Sequence, residues 1–206
     1  MWGVWMMEPD YSQKLAAAVR EQLDKLGFNY AFDDHSGIFR FSVIIGGRIN
    51  TVHCMIEVSE TGFAYFITLP LRANPKDVPQ MWRMAEFLHR ANYRLFSGNF
   101  EINMDSGLIR FRNYYDAVET MPTDSIFAFL VLGGLSAVEQ HAGGILEMLY
   151  TDSDPAQTLD DIHSEIQEPF DRMMHSVETE DDLQNDKEES EEEEYKNAKE
   201  PSKFLA

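Results

Sequence analysis

One cysteine in 206 residues, Cys54, leaves no partner for an internal disulfide, and a lone thiol fits a reducing compartment. Cations are scarce: 17 Lys and Arg stand against 36 Asp and Glu, for a formal net charge of −19. Such a surface repels phosphate backbones and anionic lipid, which argues against nucleic acid and membrane as partners. A protein or peptide segment is the expected partner, basic where it carries charge. The most apolar run, residues 126–135, is ten residues long, short of the ~20 needed to span a bilayer. The opening residues have neither a basic region nor a long apolar stretch, so they do not read as a secretion signal, and the expected compartment is the cytoplasm. No repeat of solenoid length is visible.

Catalytic and metal-binding patterns are also missing, and each near-match has a plainer explanation. The six histidines form no His-Glu-x-x-His or other close pair that would bring two metal ligands together. Asp33, Asp34 and His35 sit in a turn, where aspartates serve local backbone hydrogen bonds. Asp152, Asp154 and Asp160 begin like a calcium loop, but Ala156 and Gln157 occupy the positions of a third ligand and the sharp-turn glycine. Gly46 and Gly47 fall between strands, whereas a phosphate cradle leads into a helix. No Gly-x-Ser-x-Gly elbow is present. Cys54 alternates with Val52, Ile56 and Val58 as a small buried hydrophobe. These readings predict no enzyme, no cofactor and no metal.

What is present is a clear order of elements. Leu15, Val19, Leu23 and Leu26 stripe a first helix, which Asp10 and Gln13 are expected to cap and Gly27 to close. Runs at 28–33, 37–45, 51–58 and 63–69 alternate as strands, joined by turns short enough for an antiparallel meander. Pro70 is expected to end the last of them. Asn74 and Pro75 are expected to start a second helix, striped by Val78, Met81, Ala85, Leu88 and Asn92. Thr123 caps a third helix that reaches about Tyr150, with Gly133, Gly134, Gly143 and Gly144 as weak points or sites of close packing. Leu159, Ile162, Ile166, Phe170 and Met173 predict a further helix after Pro155.

The predicted organisation is an N-terminal extension at 1–9, an α+β domain at 10–150, an added amphipathic helix at 151–176 and an acidic tail at 177–206. With 12 acidic and 4 basic residues, that tail is expected to stay disordered, because it has too little apolar surface to offset ordering entropy. Its charge reads most simply as solubilising, and the alternative is that the tail competes intramolecularly for a basic partner site.

Between the second and third helices, residues 92–116 predict a half-buried hairpin. A two-residue turn at Ser106 and Gly107 sets Ile102 opposite Phe111 and Met104 opposite Ile109, with Glu101 opposite Arg112 and Asn103 opposite Arg110. A slip of one residue would bury arginines, so the faces are well specified.

Residues 34–41 (DHSGIFRF), 74–77 (NPKD) and above all 92–116 resemble the YbjN-type family of bacterial sensory transduction regulators, with the likeness spanning about residues 15–150. The resemblance implies the fold of type III secretion chaperones. That fold is an α+β arrangement of an antiparallel sheet flanked by helices, in the order α-β-β-β(-β)-α-β-β-α, which often dimerises and binds extended segments of other proteins. No catalytic residues come with it. The expected function is a regulatory or chaperone-like protein-binding module, working as a homodimer. The methionine-rich cluster Met81, Trp82, Met84 and Phe87 reads most simply as core, and the alternative makes it an adaptable groove for a partner segment. The alternative is a small-molecule sensor with its ligand between sheet and helices.

Overall fold

In the computed structural model, residues 10–46 and 49–164 are described. The chain divides into two units, Met1–Ile162 and His163–Ala206. Of the second, only His163 and Ser164 fall among the described residues, both helical. The N-terminal extension, Ile166, Phe170, Met173 and the acidic tail lie outside them.

The first unit runs α1 (Gln13–Lys25), β1 (Tyr30–Asp33), β2 (Ile38–Ile44), β3 (Thr51–Val58), β4 (Gly62–Arg72), α2 (Val78–Arg94), β5 (Asn99–Ile102), β6 (Leu108–Asp116) and α3 (Asp124–Tyr150). A helical segment at 155–164 follows. The strands form one antiparallel sheet in the order β1-β2-β3-β4-β6-β5. Strand alternation divides its two faces. Phe39, Phe41, Cys54, Ile56, Tyr65, Ile67 and Phe111 are buried beneath the helices, while Arg40, Ser42, His53, Glu57 and Arg112 face solvent. The helix side holds Leu15, Val19 and Leu23 of α1, Met84 and Phe87 of α2, and Phe127 and Val138 of α3. Burying each such side chain is worth ~1.5–3 kcal/mol before conformational entropy is counted.

The boundaries shift where side chains compete for caps. α1 is capped by Ser12, whose hydroxyl accepts from Leu15 N–H at 3.2 Å, and not by the expected Asp10 and Gln13. α2 begins later than expected: Asp77 is its cap, accepting from Gln80 N–H, and Pro79 lies in its first turn. Asn74 instead forms a preceding turn, its side chain accepting from Lys76 N–H. β4 does not stop at Pro70 but runs to Arg72. Pairing with β6 jumps from Thr68↔Arg110 to Arg72↔Leu108, so Pro70 sits in a bulge where a missing N–H breaks no ladder bond.

The hairpin keeps the predicted faces but shifts its register by two. Phe100 pairs with Phe111, Glu101 with Arg110, and Ile102 with Ile109. The turn is four residues long, not two, closed by Asn103 N–H to Leu108 C=O at 2.9 Å. Asn103 Oδ1 accepts from both Asp105 and Ser106 N–H, and Gly107 takes φ +67°. A shift of two leaves every side chain on its original face, so burial could not distinguish the two registers. Met104 leaves the core and is exposed.

Candidate functional site

The predicted groove residues are split by the helix that carries them. Met81, Met84 and Phe87 are buried in the core, and Trp82 alone is 65% exposed. The reactive candidates are likewise held by their surroundings. Cys54 Sγ lies 3.4 Å from the Tyr65 hydroxyl, and burial pushes the thiol up to about 11, with the Tyr65 hydrogen bond pulling weakly the other way. It is a protonated thiol at neutral pH, not a nucleophile. Asp33 accepts from the Ser36 hydroxyl and His35 N–H, which hold its carboxyl below the usual range. Asp152 pairs with Arg83 at 3.0 Å, and Asp154 accepts from Ala156 and Gln157 N–H to start the 155–164 helix. Among the described residues no group of three or more His, Cys, Asp or Glu is placed to hold a metal ion.

The open sheet face carries one compact cluster. Phe66 is covered there by the guanidinium groups of Arg110 and Arg112, 4.7 and 5.8 Å from the ring centroid. Glu101 holds Arg110 at 2.6 Å and reaches Arg112 at 3.8 Å. The cluster satisfies itself, as cross-strand charge pairs commonly do. A cleft of 610 Å³ lies between α2 and the 155–164 helix, walled by Tyr93, Arg90, Arg94 and Leu159. Its arginines are already engaged, Arg90 with Glu86 at 2.7 Å and Arg94 with Asp160 at 2.8 Å.

α3 carries an exposed apolar surface. At 27 residues this helix is long and apolar enough to cross a membrane by length and composition, and half of its most apolar window is buried inside the fold. The inner side rests on the sheet: a Cβ on Gly134 would stand 2.9 Å from Phe111 and 3.3 Å from Ile67 and Tyr65. The outer side exposes Ile126 by 40%, Phe129 by 50% and Leu132 by 46%. Beside them Phe96, in the α2–β5 connection, is 94% exposed and meets Phe129 edge-on at 6.0 Å. Between these rings and the helix runs a groove of 270 Å³, floored by Gly133, Gly134 and Ala137 and backed by Ser97 and Asn113. The Asn113 amide donates to the Ser97 hydroxyl at 3.0 Å.

Sequence reasoning placed α3 from its Thr123 cap to about Tyr150 and overlooked its outer face. The missed signal is the absence of Asp, Glu, Lys and Arg between Ser125 and Val138. A helix that merely covers a sheet is normally polar on its far side.

The YbjN family model, described as "Putative bacterial sensory transduction regulator", matches residues 15–147. Among solved structures, the crystal structure of YbjN from E. coli, "a putative transcription regulator", aligns with TM-score 0.45 and 12% identity, over 62% of this chain and 91% of that one. No curated protein matches the sequence.

Proposed function

The chain belongs to the YbjN family, whose description is regulatory, and we propose that it acts in the bacterial cytoplasm as a non-enzymatic regulator that holds a segment of a partner protein against the outer face of α3. The observation that carries this reading is the uncharged strip of Ile126, Phe129 and Leu132 with Phe96 beside it, all exposed in a chain of net charge −19. Contiguous apolar surface of this kind marks interaction sites.

Covering the four exposed side chains recovers roughly 5 kcal/mol. Association costs about as much or more. The strip alone therefore supports a weak complex, and affinity has to come from an anchor side chain or from charge.

The test is to pan a displayed peptide library against the full chain and against its Phe129→Asp variant. Peptides enriched on the wild type should carry apolar anchors and bind the variant at least about tenfold more weakly. If nothing enriches, or if the enriched peptides bind both proteins equally, the reading fails.

A further inference from the structure

If a partner segment lies on the outer face of α3, as proposed above, its anchor is decided by the groove beside Gly133. That groove holds 270 Å³, under the ~300–1,000 Å³ of small-molecule sites, so it has room for one large side chain. Its rim is aromatic: Phe96 and Phe129 stand edge to face at 6.0 Å and 83°, and both are exposed. A Cβ on Gly133 would meet nothing within 4 Å, so the floor is open at that point. A third ring suits these walls better than an aliphatic chain, because aromatic pairs gain beyond the area they bury.

The back of the groove is polar, and there one residue breaks the pattern of its strand. Asn113 shares the helix-facing side of β6 with Ile109, Phe111 and Tyr115, and is only 7% exposed. An apolar residue is the ordinary choice at such a position. The Asn113 carboxamide oxygen accepts from the Ser97 hydroxyl at 3.3 Å and from Tyr114 N–H at 3.0 Å. Its nitrogen carries two hydrogens. One goes to Ser97 Oγ at 3.0 Å, and the other has no acceptor among the described hydrogen bonds.

Charge and hydrogen bonding then exclude most anchors. Among the described residues no Asp or Glu lines the groove, so a lysine or arginine would be covered without a counter-ion. Arg94 is the single charged residue of the lining and is already paired with Asp160 at 2.8 Å, so a carboxylate would have to displace that partner. Phenylalanine would cover the spare Asn113 N–H without giving it an acceptor, and the tryptophan ring offers a donor only. A phenol supplies both the ring and an oxygen that accepts.

We propose that the groove seats a tyrosine side chain of the partner segment, its ring against Phe96 and Phe129 and its hydroxyl oxygen accepting from Asn113.

The experiment uses p-cresol, which is the tyrosine side chain as a free molecule, and toluene, which lacks only the hydroxyl. Each is titrated into the full isotope-labelled chain and followed by NMR. p-Cresol should shift the backbone amides of Gly133 and Gly134 and the side-chain amide of Asn113, with toluene binding at least about tenfold more weakly. Gly133→Leu fills the floor while its Cβ meets no neighbour, and its fold is checked by circular dichroism; it should weaken p-cresol by about tenfold. Equal binding of toluene, shifts that spare Asn113, or undiminished binding to Gly133→Leu overturns the proposal. Peptides enriched from the displayed library should carry a tyrosine and lose about tenfold when it is replaced by phenylalanine. Peptides that enrich without tyrosine, yet are lost with Phe129→Asp, overturn this anchor and leave the docking reading standing. A library from which nothing enriches removes both.

Discussion

The two glycine pairs of α3 should respond in opposite ways to the same substitution. At Gly133 and Gly143 a Cβ would meet nothing within 4 Å, so alanine adds only helix propensity, worth ~0.5–1 kcal/mol. At Gly134 the new Cβ stands 2.9 Å from Phe111 Cε1 and 3.3 Å from Ile67 Cδ1 and Tyr65 Cε1, and all three residues are fully buried. At Gly144 it stands 2.6 Å from Phe87 Cε2 and 2.9 Å from Ile162 Cδ1. Overpacking of this kind costs ~1–3 kcal/mol, which exceeds the propensity gain. For a chain of this size ~1 kcal/mol moves Tm by about 2–4 °C. Thermal unfolding should therefore rank Gly133→Ala and Gly143→Ala at or a few degrees above wild type. Gly134→Ala and Gly144→Ala should fall several degrees below it. A Gly134→Ala variant as stable as Gly133→Ala would show that α3 does not press on Phe111 as described and would refute the assignment of its inner and outer faces.

Three further outcomes follow from the same structure. Asn92 clamps β5 to α2 by donating to Phe100 C=O at 2.9 Å and accepting from Phe100 N–H at 2.6 Å. Asn92→Ala should cost about 1–3 kcal/mol in denaturant unfolding, and an unchanged midpoint would remove the clamp from the account. The Asp124 carboxyl is held below its usual 3.8 by hydrogen bonds from Gln22 and Lys25. A depressed carboxylate contributes stability above its ordinary value and loses it as pH falls through the folded value, so the Tm gap between wild type and Asp124→Asn should narrow as pH drops below 3.8; a gap independent of pH would contradict this. Cys54, buried and with its thiol pushed up to about 11, should react with a thiol reagent in the native protein only as fast as the fold opens, whereas fast labelling would mean the thiol is accessible.

Local signals located most elements and misplaced their ends. Thr51–Val58 was readable because every second residue is apolar and the turns on either side are polar. Ser12 and Asp77 displaced Asp10 and Asn74 as caps because several suitable side chains stand close together. Which one reaches the helix N–H groups depends on how the chain enters from the preceding strand or loop. The groove was less legible than the fold. Met81 and Trp82 are adjacent in a rich apolar cluster, yet one is buried and the other exposed, because successive helical residues point about 100° apart.

The amino-acid sequence alone determined which residues turn inward on each strand, the antiparallel meander and the acidic character of the chain. These follow from side-chain period, turn chemistry and charge count, which need no knowledge of neighbours. Tertiary structure decided the two-residue offset of the β5–β6 hairpin, because a period-two pattern is blind to a shift of two and only the Asn103 turn selects between the registers. It also decided which half of α3 meets the sheet. That helix is apolar almost all round, so composition leaves its orientation open; Gly134 faces Phe111 while Gly133 opens outward, and the surface left bare is the one assigned to the partner.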